Sequence, residues 1–500
     1  MSIIAHFVSA DLLLYLTTCI MFFIYWWNGS KKSAEKMPPG PSPLPVIGNL
    51  NLIDLTKPYQ SLMKLSQRYG DVFTVHFGPK KIVVVAGYKA VKDALVSQAD
   101  DFGERADIPI FTKVTRGNGI VFSHGESWKL MRRFALSTLR DFGMGKKTVE
   151  CRIQDELDPL IKYFQSQKGK PFDVKIILNS AVSNVICSII FGKRFEYEDE
   201  TFLTLIKVLN ENAKLLGTPK LLLYNFYPVL GTLLGTHRGV MRNVDLLNHL
   251  LMKYVTQHQV EFNANNITGF IDAFLMKQEQ ESSNKDTFFH NENLIFSVLD
   301  LFAAGTETSS TTLRWGLLLM IKYPEIQKKV QEEIRKYIKP GQLPKVDDRR
   351  MMPYTDAVVH EIQRFSNIVP LNLSRTTLKD VSFRGFCIPR GTEVIPMLTS
   401  VLYDKSQWET PYEFNPNHFL DADGKFVRKD AFMPFSTGRR ACVGESLAKM
   451  ELFLFFTGLL QRFTFHPPAG VSAAHLDLKP NDSGFILTPV PYLISAIPNY

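Results

Sequence analysis

A short basic loop, FSTGRRACVG at positions 435–444, carries residues able to bind a metal or an anion. Cys442 is one of only five cysteines, and its thiolate could bind a metal such as haem iron if neighbouring groups stabilise its charge. Gly438 and Gly444 permit close approach, and their loop N–H groups could point at the sulfur. Arg440 could pair with an anionic group on a cofactor. Local chemistry leaves a haem ligand, a phosphate loop and an ordinary surface loop equally open.

A second polar stretch, LFAAGTETSSTTLRW at positions 301–315, interrupts an apolar helical pattern. Gly305 weakens a helix locally, and a hydroxyl that bonds to a carbonyl one turn earlier bends it further. An opened turn could hold water beside Glu307 and Thr308. The alternative is a Ser/Thr-rich helix that makes only local hydrogen bonds. Without the cysteine loop this alternative is preferred, and with the loop a functional role is favoured.

The elements that must position these residues are mostly helices. Two short strands are predicted around a Gly-Pro turn at 71–86, and further short strands at 381–397 and at the C-terminus. The pattern predicts a mainly α fold with a minor β portion. Helical spacing is found at 126–140, 151–167, 178–191, 243–262, 291–322, 323–337, 353–366 and 446–460.

The N-terminus predicts a membrane anchor over residues 1–30, because Leu12 to Trp27 carry no charge and lysines follow at once. A cleaved signal peptide is the weaker alternative. A proline-rich hinge follows at 31–50, and the catalytic domain is expected at 51–500. The net charge of +9 suits a membrane surface or an acidic protein partner, and no nucleic-acid motif is present. The cysteines are few, odd in number and scattered, which argues against a disulfide framework.

The loop Phe435-x-x-Gly438-x-Arg440-x-Cys442-x-Gly444 resembles the haem-binding signature of the cytochrome P-450 family. Three other matches follow the family's order along the chain. They are the oxygen-activating motif at Ala304–Thr308, the ExxR motif at Glu361–Arg364 and the haem-propionate helix at Trp128-x-x-x-Arg132. The resemblance implies the cytochrome P-450 fold, an α-rich body with a small β-sheet region.

Two features resemble family 2 of the cytochromes P-450, the microsomal branch. One is the arm PPGPSPLPVIGN at Pro38–Asn49, and the other is His418, where many members carry arginine. A histidine would then be the third member of the Glu361–Arg364 group. A second ExxR match, Glu332–Arg335, is interpreted as a solvated helix face.

The resemblance implies haem b with Cys442 as the thiolate ligand of the iron, and catalytic roles for Thr308 and Glu307 in oxygen activation and proton relay. Each cationic contact could alternatively be a surface residue. By the same resemblance, the cofactor contacts are Arg105, Trp128, Arg132, Arg375, Arg440 and Cys442.

An apolar substrate pocket is expected beside the haem, although ordinary core residues give the same pattern. The resemblance assigns it to Ile108, Val121, Phe122, Phe296, Ala303, Ala304, Val369, Leu373 and Pro491.

Electrons must come from outside, because the chain has no dinucleotide fingerprint. The resemblance implies NADPH-cytochrome reductase as the partner, with cytochrome b5 as a second one. Their docking site would be a basic face formed by lysine and arginine residues. The alternative is that these charges are dispersed over a solvated surface. The face comprises Lys129, Arg133, Arg140, Lys425, Arg428, Lys429, Arg439 and Lys449.

The predicted function is a monooxygenase in the endoplasmic-reticulum membrane, with its catalytic domain facing the cytosol. It would insert one oxygen atom into lipophilic substrates such as xenobiotics, fatty acids including arachidonate, or steroids. A haem-thiolate isomerase or dehydratase of lipid hydroperoxides is one alternative, and it is disfavoured because both Glu307 and Thr308 are present. A non-enzymatic haem- or ligand-binding membrane protein is the other.

Overall fold

The computed structural model describes residues 14–18, 21, 37–481 and 485–499. Helices dominate, as predicted. They are α1 Pro58–Tyr69, α2 Tyr88–Lys92, α3 Pro109–Thr115, α4 Gly125–Asp141, α5 Lys147–Ser166, α6 Lys175–Ile190, α7 Glu200–Leu216, α8 Pro219–Phe226, α9 Pro228–Leu233, α10 Arg238–Glu261, α11 Phe270–Gln280, α12 Asn291–Lys322, α13 Pro324–Tyr337, α14 Pro353–Ser366, α15 Leu398–Leu402 and α16 Glu445–Arg462.

The strands form one mixed sheet and two separate two-stranded sheets, β5-β6 and β8-β9 in the numbering given below. The five-stranded sheet has the order β1-β2-β7-β4-β3, with β2 and β7 parallel and the other neighbours antiparallel. The strands are β1 Val72–Phe77, β2 Lys80–Val85, β3 Glu104–Arg105, β4 Arg375–Thr376, β5 Val381–Phe383, β6 Phe386–Ile388, β7 Glu393–Pro396, β8 Phe463–His466 and β9 Ser495–Pro498. The predicted mainly α fold with a minor β portion is confirmed.

Helix α12 is the centre of the molecule. Its 32 residues make a rod about 48 Å long, and it packs against α6, α14 and α16. Most of its side chains are buried, as expected for a helix that is apolar on several faces. Because the cysteine loop leads directly into α16, the packing of α16 on α12 sets the distance between the two predicted halves of the site.

The proline-rich hinge can be followed from Met37 onward, whereas residues 31–36 lie outside the described part. Asn49 fixes it to β1, because its side chain accepts from the His76 N–H at 2.8 Å and its own N–H donates to the His76 oxygen at 2.7 Å. The predicted anchor at 1–30 lies almost entirely outside the described residues. Within the described part of the chain, no helix has the length and apolarity needed to cross a bilayer.

Candidate active site

Backbone hydrogen bonds within the cysteine loop fix the position of Cys442. The Cys442 N–H donates to the Phe435 oxygen at 3.0 Å, and the Gly444 N–H donates to the Cys442 sulfur. Burial raises the pKa of the Cys442 thiol, while the Gly444 N–H and the charge of Arg132 oppose that rise. Cys442 nevertheless has solvent-accessible surface. The residue is thus surrounded by protein atoms while keeping some accessible surface.

Glycine is required at position 438 for a reason other than close approach to a cofactor. Its φ is +76°, in the region that favours glycine, and an added Cβ would overlap the Leu95 carbonyl. The close neighbour is therefore the protein's own backbone. An added Cβ at Gly444 would make only an ordinary contact, 4.0 Å from the Cys442 sulfur.

The predicted cofactor contacts come from four separate segments, and several have buried nitrogens without a partner. These are Nε1 of Trp128, Nε and Nη1 of Arg375, and Nη1 of Arg440. A buried unpaired donor costs about 1–3 kcal/mol, so this group of donors is suited to an acceptor from outside the chain. Arg105 has hydrogen-bond partners within the protein: its Nε and Nη1 donate to the Val121 and Leu373 oxygens at 3.0 and 3.1 Å. Arg132 Nη2 donates to the Ala441 oxygen at 2.7 Å.

The arginines also repel one another. Burial and the nearby charges of Arg440 and Arg132 lower the pKa of Arg375 to about 9. Burial likewise lowers the pKa of Arg440 to about 10, partly offset by Glu104. An excess of buried positive charge is stabilised by an anion with two carboxylates. The propionates of haem b fit this donor set, and the Cys442 thiolate fits its iron.

The central helix presents a small accessible patch in its buried middle. Ala304 is exposed and Ala303 and Thr308 are half-buried, although most residues on either side of them are buried. The Thr308 hydroxyl donates to the Ala304 oxygen at 2.7 Å. The i,i+4 spacing puts Ala304 and Thr308 on one face, with room for a ligand beside them.

Glu307 points to the other side of α12. Its Oε2 accepts from the Asn179 amide at 3.4 Å, and its Oε1 accepts from the Thr311 hydroxyl at 3.3 Å. Burial raises the pKa of Glu307, while the charges of Lys175 and Arg314 oppose the rise. These two cations and Glu307 line a cavity of about 80 Å³, enough for two or three water molecules.

A larger cavity of about 1160 Å³ lies on the Arg105 and Trp128 side. Ile108 and Phe122 line it, and Phe122 stacks on Phe111 at 3.7 Å between ring centroids. The other predicted pocket residues are not among its lining. Pro491 lines the small cavity beside Glu307 instead.

The remaining predicted pocket residues are dispersed between core and partly exposed positions. Phe296 is buried, whereas the others have some accessible surface. The half-buried ones are Val121, Val369 and Leu373.

Sequence reasoning missed two side chains that hold the segment 119–121, which precedes the cavity-lining Phe122. Asp300 Oδ2 accepts from the N–H groups of Ile120 and Val121 at 2.7 and 2.9 Å, and Asn293 Oδ1 accepts from the Gly119 N–H at 2.8 Å. Burial raises the pKa of Asp300 to about 6. The available signal was helical spacing, because Asp300 precedes Ala304 by one turn on the same face.

The structure brings Glu361, Arg364 and His418 together as a buried group. Arg364 binds Glu361 with two hydrogen bonds of 2.7 Å, and both side chains are fully buried. His418 Nδ1 lies 3.2 Å from both carboxylate oxygens, and its Nε2 accepts from the Thr410 N–H at 3.2 Å. Nδ1 therefore carries the proton. Glu361 also accepts from the Asn415 N–H at 2.8 Å, so Arg364, His418 and Asn415 all donate to its carboxylate.

Comparisons with known proteins agree with this fold. A family model for cytochrome P450 matches residues 38–496. Cytochrome P450 2K1 of Oncorhynchus mykiss is 50% identical over 487 residues, which is 96% of each chain. Cytochrome P450 2C3 of Oryctolagus cuniculus is 46% identical over 491 residues, 98% of this chain and 100% of the relative. Cytochrome P450 2F2 of Rattus norvegicus is 45% identical over 489 residues, 97% and 98%.

The fold and these relatives define a haem-thiolate monooxygenase, an oxidoreductase that carries haem b on a cysteine thiolate. The chain belongs to the cytochrome P450 family, and its named relatives are all numbered in family 2. The predicted resemblance to family 2 is confirmed.

Proposed function

We propose that this protein is a membrane-bound monooxygenase that inserts one atom of dioxygen into apolar organic substrates, with electrons from NADPH-cytochrome reductase. Xenobiotics, fatty acids such as arachidonate, and steroids are the substrate classes. The observation that carries this proposal is the pairing of an accessible thiol at Cys442 with unpartnered donors on Trp128, Arg375 and Arg440.

Cys442 would bind the iron, and the Gly444 N–H would stabilise its negative charge. The free nitrogens of Trp128, Arg375 and Arg440 would bind the propionates, with Arg105 and Arg132 adding positive charge. When bound, the haem supplies dioxygen activation and C–H oxidation. The protein's own contribution is to orient this group, exclude water and deliver protons.

Proton delivery is assigned to Thr308 and Glu307. The Thr308 hydroxyl, already turned toward the Ala304 oxygen, can hold a water molecule on the accessible face of α12. Glu307 has a raised pKa and borders a water-sized cavity, so its carboxyl can take a proton from that side and pass it on. The charges of Lys175 and Arg314 oppose the rise in the pKa of Glu307 and favour its ionised form.

Substrate specificity is assigned to the apolar side of the larger cavity. Ile108 and Phe122 provide apolar surface, and the stacked Phe111–Phe122 pair gives it a rigid flat wall. Ala303 and Ala304 leave space next to the expected iron position. Val121, Phe296, Val369, Leu373 and Pro491 are proposed to complete the pocket.

Reductase docking is assigned to the basic face, with cytochrome b5 as a second electron donor. Several of its charges are neutralised locally: Lys129 pairs with Glu126 at 2.6 Å, and Lys449 pairs with Glu445 at 2.6 Å. Arg439 pairs with Asp100 and Lys425 with Asp423. Among the described residues, Arg133, Arg140, Arg428 and Lys429 have no acidic partner. These four are the best candidates for attracting an acidic partner.

The membrane face is assigned to α9 and the proline-rich hinge. Val229 and Leu233 are 78% and 77% exposed, and Val46 is 67% exposed. The Tyr227 hydroxyl donates to the Val46 oxygen at 2.5 Å and joins the two segments. An apolar face of this kind suits a bilayer surface. We assign the protein to the endoplasmic-reticulum membrane, with residues 1–30 as anchor, 31–50 as hinge and 51–500 as the cytosolic catalytic domain.

The test is reconstitution of the full-length haem protein with NADPH-cytochrome reductase, followed by a substrate screen read by product mass. A product heavier by one oxygen, labelled from ¹⁸O₂ and dependent on NADPH, is the expected result. Turnover of a lipid hydroperoxide without reductase or NADPH would identify an isomerase or dehydratase instead. A histidine-type spectrum of the reduced carbon-monoxide complex would reject Cys442 as the ligand.

A further inference from the structure

The small cavity of about 80 Å³ beside Glu307 is lined by charged side chains from three parts of the chain. They are the entry to α6, the last turn of α7 and the second half of α12. Among the described residues, its cations are Lys175, Lys214 and Arg314, and its carboxylates are Asp173 and Glu307. Three cations thus face two carboxylates, and protonation of Glu307 makes the excess of positive charge larger. An electropositive space of this kind attracts anions.

Arg314 is the most buried cation of this cavity. It is 5% exposed, and its Nε and Nη1 atoms are buried without a hydrogen-bond partner. The Tyr492 hydroxyl donates to the Arg314 oxygen at 2.5 Å and fixes the backbone from which this side chain extends. A guanidinium keeps its charge in proteins, so a buried N–H without an acceptor raises the free energy of the fold. An acceptor inside the cavity would remove this cost.

Lys175 is the second cation at this position. It is half-buried at the start of α6, where its backbone N–H donates to Asp173 Oδ1 at 2.8 Å. Burial lowers the pKa of Lys175, and the charges of Arg314 and Lys214 lower it further. The charges of Glu307 and Asp173 oppose this lowering. The cations therefore repel one another across the cavity, and an added negative charge between them would be stabilised.

The carboxylate of Glu307 leaves these cations without a hydrogen-bonded partner. It accepts from the Asn179 amide at 3.4 Å and from the Thr311 hydroxyl at 3.3 Å. Within the described part of the chain, Lys175 and Arg314 act on Glu307 through their charge, with no hydrogen bond between them. The cavity holds about two or three water molecules, and a halide ion is similar in size to one of them. One small anion with its remaining water therefore fits, whereas a nucleotide does not.

We propose that this cavity is a binding site for a small inorganic anion, of the size and charge of a halide, held by Arg314 and Lys175. Arg314 donates hydrogen bonds to the anion, and Lys175 adds a second positive charge from α6. Lys214 is exposed in the last turn of α7 and draws anions toward the cavity. The site depends neither on the haem contacts nor on a catalytic role for Glu307. Because Glu307 lines the same cavity, a bound anion and an ionised Glu307 repel each other.

The test is X-ray diffraction from crystals of the haem-loaded full chain soaked in sodium bromide, with data collected at the bromine absorption edge. An anomalous peak in the cavity is expected for the wild type, and Lys175→Gln should lose most of it. Lys207→Gln is the matched control and should keep the peak, because Lys207 is exposed on α7 and does not line the cavity. A wild-type cavity without bromide would overturn the proposal, and so would a full peak in Lys175→Gln.

A second measurement follows thermal unfolding in solution while bromide replaces gluconate at constant ionic strength. An ion that binds only the folded state raises the midpoint of unfolding. Bromide should therefore stabilise the wild type and Lys207→Gln more than it stabilises Lys175→Gln.

Equal responses of the three proteins would reduce a crystal peak to an adventitious ion only and would reject the site. Glu307→Gln tests the simplest alternative, in which the Glu307 carboxylate is itself the anion that these cations serve. A bromide peak seen in Glu307→Gln but not in the wild type would establish that alternative and overturn the proposal. A peak in both proteins supports a separate anion site.

Discussion

The Thr308 hydroxyl donates a hydrogen bond to the Ala304 carbonyl oxygen, 2.7 Å away and one turn earlier in α12. The same bond recurs one turn later, where Thr312 donates to the Thr308 oxygen at 2.9 Å. The two threonines differ in surroundings, since Thr312 is buried and Thr308 is partly accessible. Both threonines therefore make this hydrogen bond to the helix backbone, but of the two only Thr308 is accessible to a ligand.

Replacement of Thr308 by alanine should preserve cofactor binding but uncouple electron use from product formation. The lost hydroxyl removes a proton relay, a contribution on the order of 10²-fold or more in rate. We expect an unchanged reduced carbon-monoxide spectrum, less product per NADPH and more hydrogen peroxide. Thr312→Ala is the control and should remain coupled. Full coupling in Thr308→Ala would disprove the role.

Replacement of Cys442 by alanine should abolish the thiolate spectrum. Among the described cysteines, only Cys442 lies in a loop whose backbone N–H contacts the sulfur. Cys151 is also exposed, so it is a suitable control. Difference spectra of the reduced carbon-monoxide complex provide the measurement. A thiolate spectrum in Cys442→Ala, or its loss in Cys151→Ala, would contradict the assignment.

Replacement of Glu361 by glutamine should destabilise the fold strongly, because it leaves the fully buried Arg364 charge unpaired. Breaking a buried pair costs about 3–5 kcal/mol. Glu332→Gln offers a matched control in the second ExxR match, where Glu332 and Lys328 are exposed and 3.9 Å apart. It should change the free energy of unfolding by about 0.5 kcal/mol or less. Urea unfolding followed by circular dichroism measures the free energy of unfolding of both variants. Equal losses in Glu361→Gln and Glu332→Gln would contradict the predicted difference.

Asp300 should give the protein a pH-dependent contribution to stability. Its pKa is about 6 in the fold against an ordinary 3.8, so the folded state holds the proton more tightly than the unfolded state. The contribution of Asp300 to the free energy of unfolding should therefore fall as the pH rises from about 4 to 6, and it should stay level above about pH 6. Asp300→Asn should remove this decrease in urea-unfolding series. A variant that keeps the wild-type pH profile would exclude Asp300 as the source.

Docking of the reductase should depend more on Arg133 than on Lys425. Both are exposed, but Lys425 is already paired with Asp423 at 3.7 Å. Arg133→Gln should raise the reductase concentration needed for half-maximal turnover by up to roughly fivefold, equivalent to ~1 kcal/mol, and the difference should shrink at high salt. Lys425→Gln should have a smaller effect. Equal effects in the two variants would argue against a localised docking face.

The helices were largely predictable, because each depends on contacts within a few residues. The expected helix at 291–322 has those bounds in the structure, and the strands at 71–86 form β1 and β2 around their Gly-Pro turn. The two-residue strands β3 and β4 were not predictable. They carry too little local pattern, and each depends on a partner about 270 positions away.

By itself, the sequence determined the family, the cysteine loop and the Glu307–Thr308 pair, because these are short motifs whose chemistry is legible in neighbouring residues. Only the tertiary structure decided how Arg375 and Arg440 meet beside Trp128, why Gly438 must be glycine, and that Glu104 and Asp300 stand among them. These relationships join distant segments. They depend on which surfaces are buried together, and no local pattern encodes that.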